Sequence, residues 1–252
     1  MKIRIYIFAI LLIGVSSSSI SQQWKLRRYE LMGGFGAANF FGDLGGTMDE
    51  NNLFGLKDID IVSTRPLMYF GGRYKIRQDV SIKVHNISGM LTAADVNSRN
   101  ENRDLKFSSF INEFAVMGEY NFVREESKYK SSASFNRRGM VNNYTKMSIY
   151  VSSGLGLIYF NPKPNDKVKA RDEYTEDYSK VAMVIPLSIG AKQILSSKWS
   201  IGAELGGRFA TTDFLDGFSS VYSKSNDVYY FTSFTLIYRV KTDRFGKPHL
   251  FQ

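Results

Sequence analysis

The sequence predicts an all-β chain folded as a closed antiparallel eight-stranded transmembrane β-barrel of the outer membrane. Three observations lead there. Stretches of about ten residues in which apolar and polar side chains alternate, bounded by turn residues, recur along the chain, and this is the mark of a membrane strand. Phe (19), Tyr (15) and Gly (21) are abundant and Pro (5) is scarce, while mean hydropathy is mildly polar at −0.22. That combination suits strands with one face in lipid and one in a lumen. Finally, the chain opens with the pattern of an export signal, and no later stretch is long and apolar enough for a spanning helix.

The opening segment is set aside as residues 1–21, a signal peptide. Lys2 and Arg4 give a basic start, Ile5–Val15 is an apolar run, and Ser19 and Ser21 suit signal-peptidase cleavage near Ser21. The run falls short of the roughly 20 residues a membrane-spanning helix needs. Residues 22–252 form one barrel domain. With no Cys, the chain carries no disulfide, no thiolate metal site and no lipid-modified cysteine. The net charge of +9 does not point to nucleic acid, because no Lys/Arg cluster coincides with a recognition motif.

The strands follow in order. The first is Tyr29–Phe41. Pro66–Arg77 and Val80–Leu91 are joined by a tight Gln78-Asp79 turn. Phe110–Val123 alternates most clearly: Phe110, Phe114, Val116, Tyr120 and Phe122 point one way, and Glu113, Glu119 and Asn121 the other. Asn112 shares the apolar parity and breaks that face. Met147–Phe160 puts Ile149, Val151, Leu155, Leu157 and Tyr159 on one side. Val181–Leu195 and Trp199–Thr211 flank a Ser196-Ser197-Lys198 turn. Trp199, Ile201, Ala203, Leu205 and Phe209 face outward, with Glu204 and Arg208 inward. Val228–Lys241 closes the set, with Tyr230, Phe234, Leu236 and Tyr238 on its apolar face.

An open sheet would leave backbone groups unpaired in hydrocarbon, so the strands must close into a ring. An eight-stranded ring has a lumen filled by side chains. Glu113, Glu119 and Glu204 oppose Arg73, Lys75, Lys192, Arg208 and Arg239, which predicts an ion-paired plug and no wide pore. A soluble β-sandwich or lipocalin-like barrel is the alternative; it would bury the faces assigned here to lipid. Tyr and Phe near strand ends favour an aromatic girdle instead.

With both termini in the periplasm, connections 42–65, 92–109, 161–180 and 212–227 face outward, and 78–79, 124–146 and 196–198 face the periplasm. Charge then separates by end. Asp43, Asp49, Glu50, Asp58 and Asp60 oppose Lys57 in the first outer connection. Asp213, Asp216 and Asp227 oppose Lys224 in the last. The periplasmic segment 124–146, long where a turn would suffice, carries Arg124, Lys128, Lys130, Arg137, Arg138 and Lys146 against Glu125 and Glu126. Lys25, Arg27 and Arg28 precede the first strand, and Lys241, Arg244 and Lys247 oppose Asp243 in the tail. The basic end, chiefly Arg124, Lys128, Lys130, Arg137, Arg138 and Lys146 of segment 124–146, is the candidate for docking an acidic periplasmic partner by complementary charge.

Four stretches together resemble a known family. They are Glu30–Leu44, a glycine-rich strand ending in Gly42-Asp43-Leu44; Arg103–Phe107 followed by Ile111-Asn112-Glu113 and Glu119–Phe122; Ile185–Lys192; and Thr212–Asp216 with Ser219 and Tyr222 behind it. Their order and spacing resemble the Bacteroidota outer-membrane barrel family that includes PorG, a component of the type IX secretion and gliding apparatus. Gly217-Phe218 stands where Asp-Val is expected, and Phe214 replaces a more usual Tyr. The resemblance implies a barrel that contacts the periplasmic ring of lipoprotein and partner subunits of that apparatus; as a membrane barrel it is also expected to meet outer-membrane lipid and lipopolysaccharide. It also implies no cofactor, no catalysis and no small-molecule substrate.

The residues offer few chemical alternatives. Gly33, Gly34 and Gly36 do not open a helix within a βαβ unit, so they do not make a phosphate loop; small residues there let neighbouring strands or lumen side chains approach. His85, on the polar face of the third strand, and His249, in the tail, are the two imidazoles. A lumen hydrogen bond is expected for His85 rather than a hydrolytic pair. Glu113 and Glu119 stand roughly 20 Å apart along one strand, too far for a glycosidase pair. Asp213 with Asp216, or Asp43 with Asp49 and Glu50, are candidates for Ca²⁺ or for cations bridging lipopolysaccharide, but strand-end backbone hydrogen bonds explain Asp43 and Asp213 as well.

Overall fold

A computed structural model describes residues 23–41, 63–94, 104–125, 147–171, 174–175, 177–217, 226–243 and 247–248. Eight antiparallel strands close into one barrel in chain order: β1 (Tyr29–Phe41), β2 (Arg65–Lys75), β3 (Val80–Ala94), β4 (Lys106–Val123), β5 (Met147–Pro164), β6 (Val181–Ile194), β7 (Trp199–Ala210) and β8 (Val228–Val240). β1 pairs with β2 on one side and β8 on the other, with Tyr29 opposite both Tyr74 and Val240. Closure leaves no edge, so every strand finds ladder partners on both sides. The export-signal segment lies outside the described residues.

Two of the expected turns form as tight hairpins. The N–H groups of Ile76 and Arg77 donate to the Val80 carbonyl, and those of Leu195 and Ser196 to that of Trp199. At the same end a short 3₁₀ turn, Gln23–Arg27, precedes β1. It is tied to the segment after β8, where Thr242 donates its N–H to the Leu26 carbonyl (2.9 Å) and its hydroxyl to that of Lys25 (2.6 Å). This turn end carries an outer ring of aromatic pairs, Tyr29–Tyr74, Tyr120–Phe122 and Trp199–Tyr238, with centroids 5.0, 5.3 and 5.0 Å apart. Such a ring suits a membrane–water boundary.

The alternation sorts side chains as expected. Leu31, Phe35, Met68, Phe70, Phe114, Leu155, Ile189 and Phe234 stand exposed on the outside, each near half or more. Glu113, Glu119, Glu204 and Arg208 are buried inside. Gly34 and Gly36 explain the glycine-rich start of β1: a Cβ at either would run into the backbone of β8 at Phe234–Thr235 or Thr232–Ser233.

Three strands run further than expected at the opposite, loop end. β3 continues to Ala94, β4 begins at Lys106 and β5 reaches Pro164. The polarity of the alternation inverts there. Leu91, Ala93, Leu105 and Phe107 are buried inside, whereas Thr92 and Ser108 share the outer face and approach each other at 3.5 Å. A strand read by its apolar outer face therefore ends too early. The inverted part builds a small core of the soluble kind above the apolar belt. Phe40 meets Phe107 edge-on (4.8 Å), and Phe160, Tyr178 and Phe214 stack in parallel. Val168, from the one-turn helix α1 (Asp166–Lys169), and Leu215 complete it. The lumen is thus not ion-paired throughout. Its loop half is filled by this mainly apolar core, with the buried Asp216 and Asp227 beside it, and its ion pairs occupy the middle and the turn half.

Candidate functional site

Charge in the lumen is arranged in layers. In the middle, the Glu113 carboxylate lies 3.1 Å from His85 Nε2 and 3.3 Å from Arg208 Nε, and accepts the Tyr229 hydroxyl at 2.8 Å. Arg208 also donates to Ser188 Oγ (3.1 Å) and lies over the Phe231 ring at 4.9 Å. His85 is thus part of a lumen hydrogen-bond network, as its place on the polar face of β3 suggested.

Below it, Lys83 Nζ meets Glu204 at 2.6 Å and Tyr150 donates to the same oxygen at 2.9 Å. Arg73 and Lys83 lie over the Tyr150 ring, 5.0 and 5.6 Å from its centroid. Next, Arg73 bridges Glu30 and Glu119, at 2.8 Å each, and Glu30 also takes Lys75 (2.8 Å) and Lys192 (3.0 Å). At the mouth Glu125 receives Lys75, Lys192 (2.8 Å) and Arg239 (3.3 Å). Six cations thus face five carboxylates, all buried. In a medium of low dielectric such charges persist only when paired and hydrogen-bonded.

All six residues expected in the charge network, Arg73, Glu113, Glu119, Glu204, Arg208 and Arg239, come together in it. Glu30, Lys83 and Glu125 join them. Lys83 shares the parity of His85, which was the signal available. Glu30 and Glu125 sit at the very start of β1 and just past β4, where alternation has little length to speak. Glu125 was read as a countercharge within the basic connection; it instead turns back into the barrel mouth.

Of the basic residues singled out for docking, Arg124 is described. It stands exposed on the rim and donates to Asp79 at 3.2 Å, with Arg77 3.4 Å from the same carboxylate. Lys128, Lys130, Arg137, Arg138 and Lys146 lie outside the described residues, as do Asp43, Asp49, Glu50 and His249. At the loop end, Asp227 accepts the Leu215 N–H at 2.9 Å, the strand-end role considered for its neighbours. Among the described residues no group of three or more His, Asp or Glu side chains converges as metal ligands.

A closed ring, an apolar exterior with an aromatic boundary and a lumen filled by buried, paired side chains define a small β-barrel of the outer-membrane kind. The chain belongs to the family described as a domain of unknown function (DUF6089), whose model matches residues 4–247. No curated protein matches its sequence. Among solved structures it is similar to Neisserial surface protein A (10% identity, 84% of this chain and 96% of that one, TM-score 0.48). It is also similar to OprG of Pseudomonas aeruginosa (9%, 86% and 97%, 0.42) and to outer membrane protein W of E. coli (13%, 84% and 97%, 0.37).

Proposed function

We propose that this chain is a non-enzymatic barrel subunit of the type IX secretion and gliding machinery, placed in the outer membrane with its turn end in the periplasm. There it docks the periplasmic ring subunits. The observation that carries the reading is a mismatch of connections at one end of a barrel whose lumen is filled by side chains. Two connections at the turn end are tight hairpins, and the third, 124–146, is long and basic. A filled lumen leaves its function to its surfaces, and Lys/Arg-rich chain next to a barrel mouth suits an acidic partner. The resemblance of the four stretches to the family that includes PorG names which partner to test.

The test is crosslinking in intact cells from a photoreactive residue at Lys130 or Asn136, with captured proteins identified by mass spectrometry. Capture of periplasmic ring subunits is expected. Capture of none, with the labelled site reachable from outside the cell, would reverse the orientation and remove the docking role. Charge reversal at Arg137 and Arg138 together should weaken the association, more at low salt than at high.

A further inference from the structure

One patch of the barrel's outer wall has the wrong chemistry for lipid. Asn86 and Ser88 of β3 and Asn112 of β4 lie on the outward parity, paired across the ladder as Asn86 opposite Phe114 and Ser88 opposite Asn112. They form a compact hydrogen-bonded group. Asn86 Nδ2 donates to Asn112 Oδ1 (3.0 Å), and Asn112 Nδ2 donates to Ser88 Oγ (2.6 Å) and to Asn86 Oδ1 (3.4 Å). The Ser88 hydroxyl donates to Asn86 Oδ1 at 3.4 Å.

Their height puts them inside the apolar belt. Tyr74 of the aromatic ring lies opposite Ile82, and Asn86 is four residues further along β3, about 13 Å by strand rise. The apolar band of such a barrel is about 25 Å tall. Exposed apolar and aromatic side chains surround the group: Val116 toward the turn end, Met90 and Phe110 toward the loops, Met68 and Phe70 on β2, and on β5 Leu157 with Tyr159, which lies directly opposite Asn112. Polar side chains facing acyl chains are costly, and the internal bonds leave one Asn86 N–H and accepting capacity on Asn112 Oδ1 and Ser88 Oγ over.

We infer that Asn86, Ser88 and Asn112 form the centre of an interface within the membrane to a second copy of this chain. A two-fold axis along the membrane normal keeps every residue at its own height, so the patch on one barrel meets the same patch on the other. Carboxamides carry donor and acceptor together, so two copies satisfy each other's leftover groups reciprocally. The surrounding Met and Phe side chains supply an apolar rim that packs around the polar centre. Polar side chains joining membrane elements in this way is a general use of them in hydrocarbon.

The chain has no native Cys, so a single introduced thiol reports one position. Ser88→Cys, a near-isosteric change, is placed in the otherwise unaltered full-length protein in native membranes, with Leu205→Cys on β7 as the control. Mild oxidation should give a disulfide-linked dimer from Ser88→Cys and none from Leu205→Cys. Adding Asn86→Leu and Asn112→Leu should abolish that dimer while the barrel keeps its heat-modifiable mobility on gels, the sign that it is folded. A Ser88→Cys barrel that stays monomeric, that links equally at Leu205→Cys, or that is captured with a different protein would overturn the inference. So would native mass spectrometry that finds only monomers holding a lipid at this patch.

Discussion

Lys83 and Glu204 show what holds the lumen together at the scale of single residues. Lys83 is fully buried, and its ammonium meets one carboxylate oxygen that also accepts Tyr150. Removing the acid leaves a cation in a dry site. Glu204→Ala should therefore cost about 3–5 kcal/mol, whereas replacing both partners, Lys83→Met with Glu204→Leu, should restore most of it. Urea unfolding of the barrel in micelles, followed by tryptophan fluorescence, checks both; equal losses for the single and double changes would show that the pair is not the source. Gly190 makes a second, steric prediction. A Cβ there would press into the Tyr150 ring, and that ring is held by Glu204 through its hydroxyl and by Arg73 and Lys83 over it. Gly190→Ala should cost about 1–3 kcal/mol in the same assay, as overpacking does elsewhere, and Tyr150→Leu in the same chain, which removes the ring, should cost less than the two single changes added together; strict additivity would show that the two do not clash.

The connection after β4 is the element in which structure and proposed role meet. Arg124 points out to the rim while the next residue, Glu125, is drawn into the mouth by Lys75, Lys192 and Arg239. That contact holds Glu125 in the mouth, directly before the basic stretch of the sequence. Burial alone would raise the Glu125 pKa, but Lys192 and Lys75 outweigh it and hold the carboxyl well below its ordinary value of 4.5. A carboxyl depressed on folding stabilises the folded state above its unfolded pKa, and the contribution fades as pH falls toward the folded one. The wild-type barrel should therefore lose stability progressively as pH falls below about 5, and Glu125→Gln should flatten that part of the profile while lowering stability at neutral pH. A mutant profile parallel to the wild type would mean that Glu125 is not held in the mouth.

The same segment marks how far the sequence could be read. All eight strands were legible, β1 to the residue, because alternation and an apolar outer face persist through the belt. The outer ends of β3, β4 and β5 were not, since the apolar side turns inward above the belt and the signal changes sign. The signs of the lumen charges were legible too. Their pairing was not: Lys83 and Glu204 are 121 residues apart, and which strands face each other across a lumen follows from closure and stagger of the ring.

As a whole molecule the barrel is closed along its length in three different ways. At the loop end aromatic and aliphatic side chains fill it, with Phe107, Phe160, Phe231 and Leu215 all buried. In the middle Glu113 is encircled by His85, Arg208 and Tyr229, and at the turn end Glu30 and Glu125 each gather several cations. An ion crossing this lumen would have to part buried charge pairs and then traverse an apolar plug, each step against a desolvation cost of several kcal/mol per ion. The folded barrel inserted into planar bilayers should consequently show no stepwise conductance. Opening one layer alone should not change that: Glu113→Ala with Arg208→Ala removes the central crossing but leaves the plug above and the cluster below. Stable current steps from the wild-type protein would make it a channel and remove the ground for assigning its role to its surfaces. Steps from the double variant alone would show that the central layer is the seal and the loop-end plug is permeable.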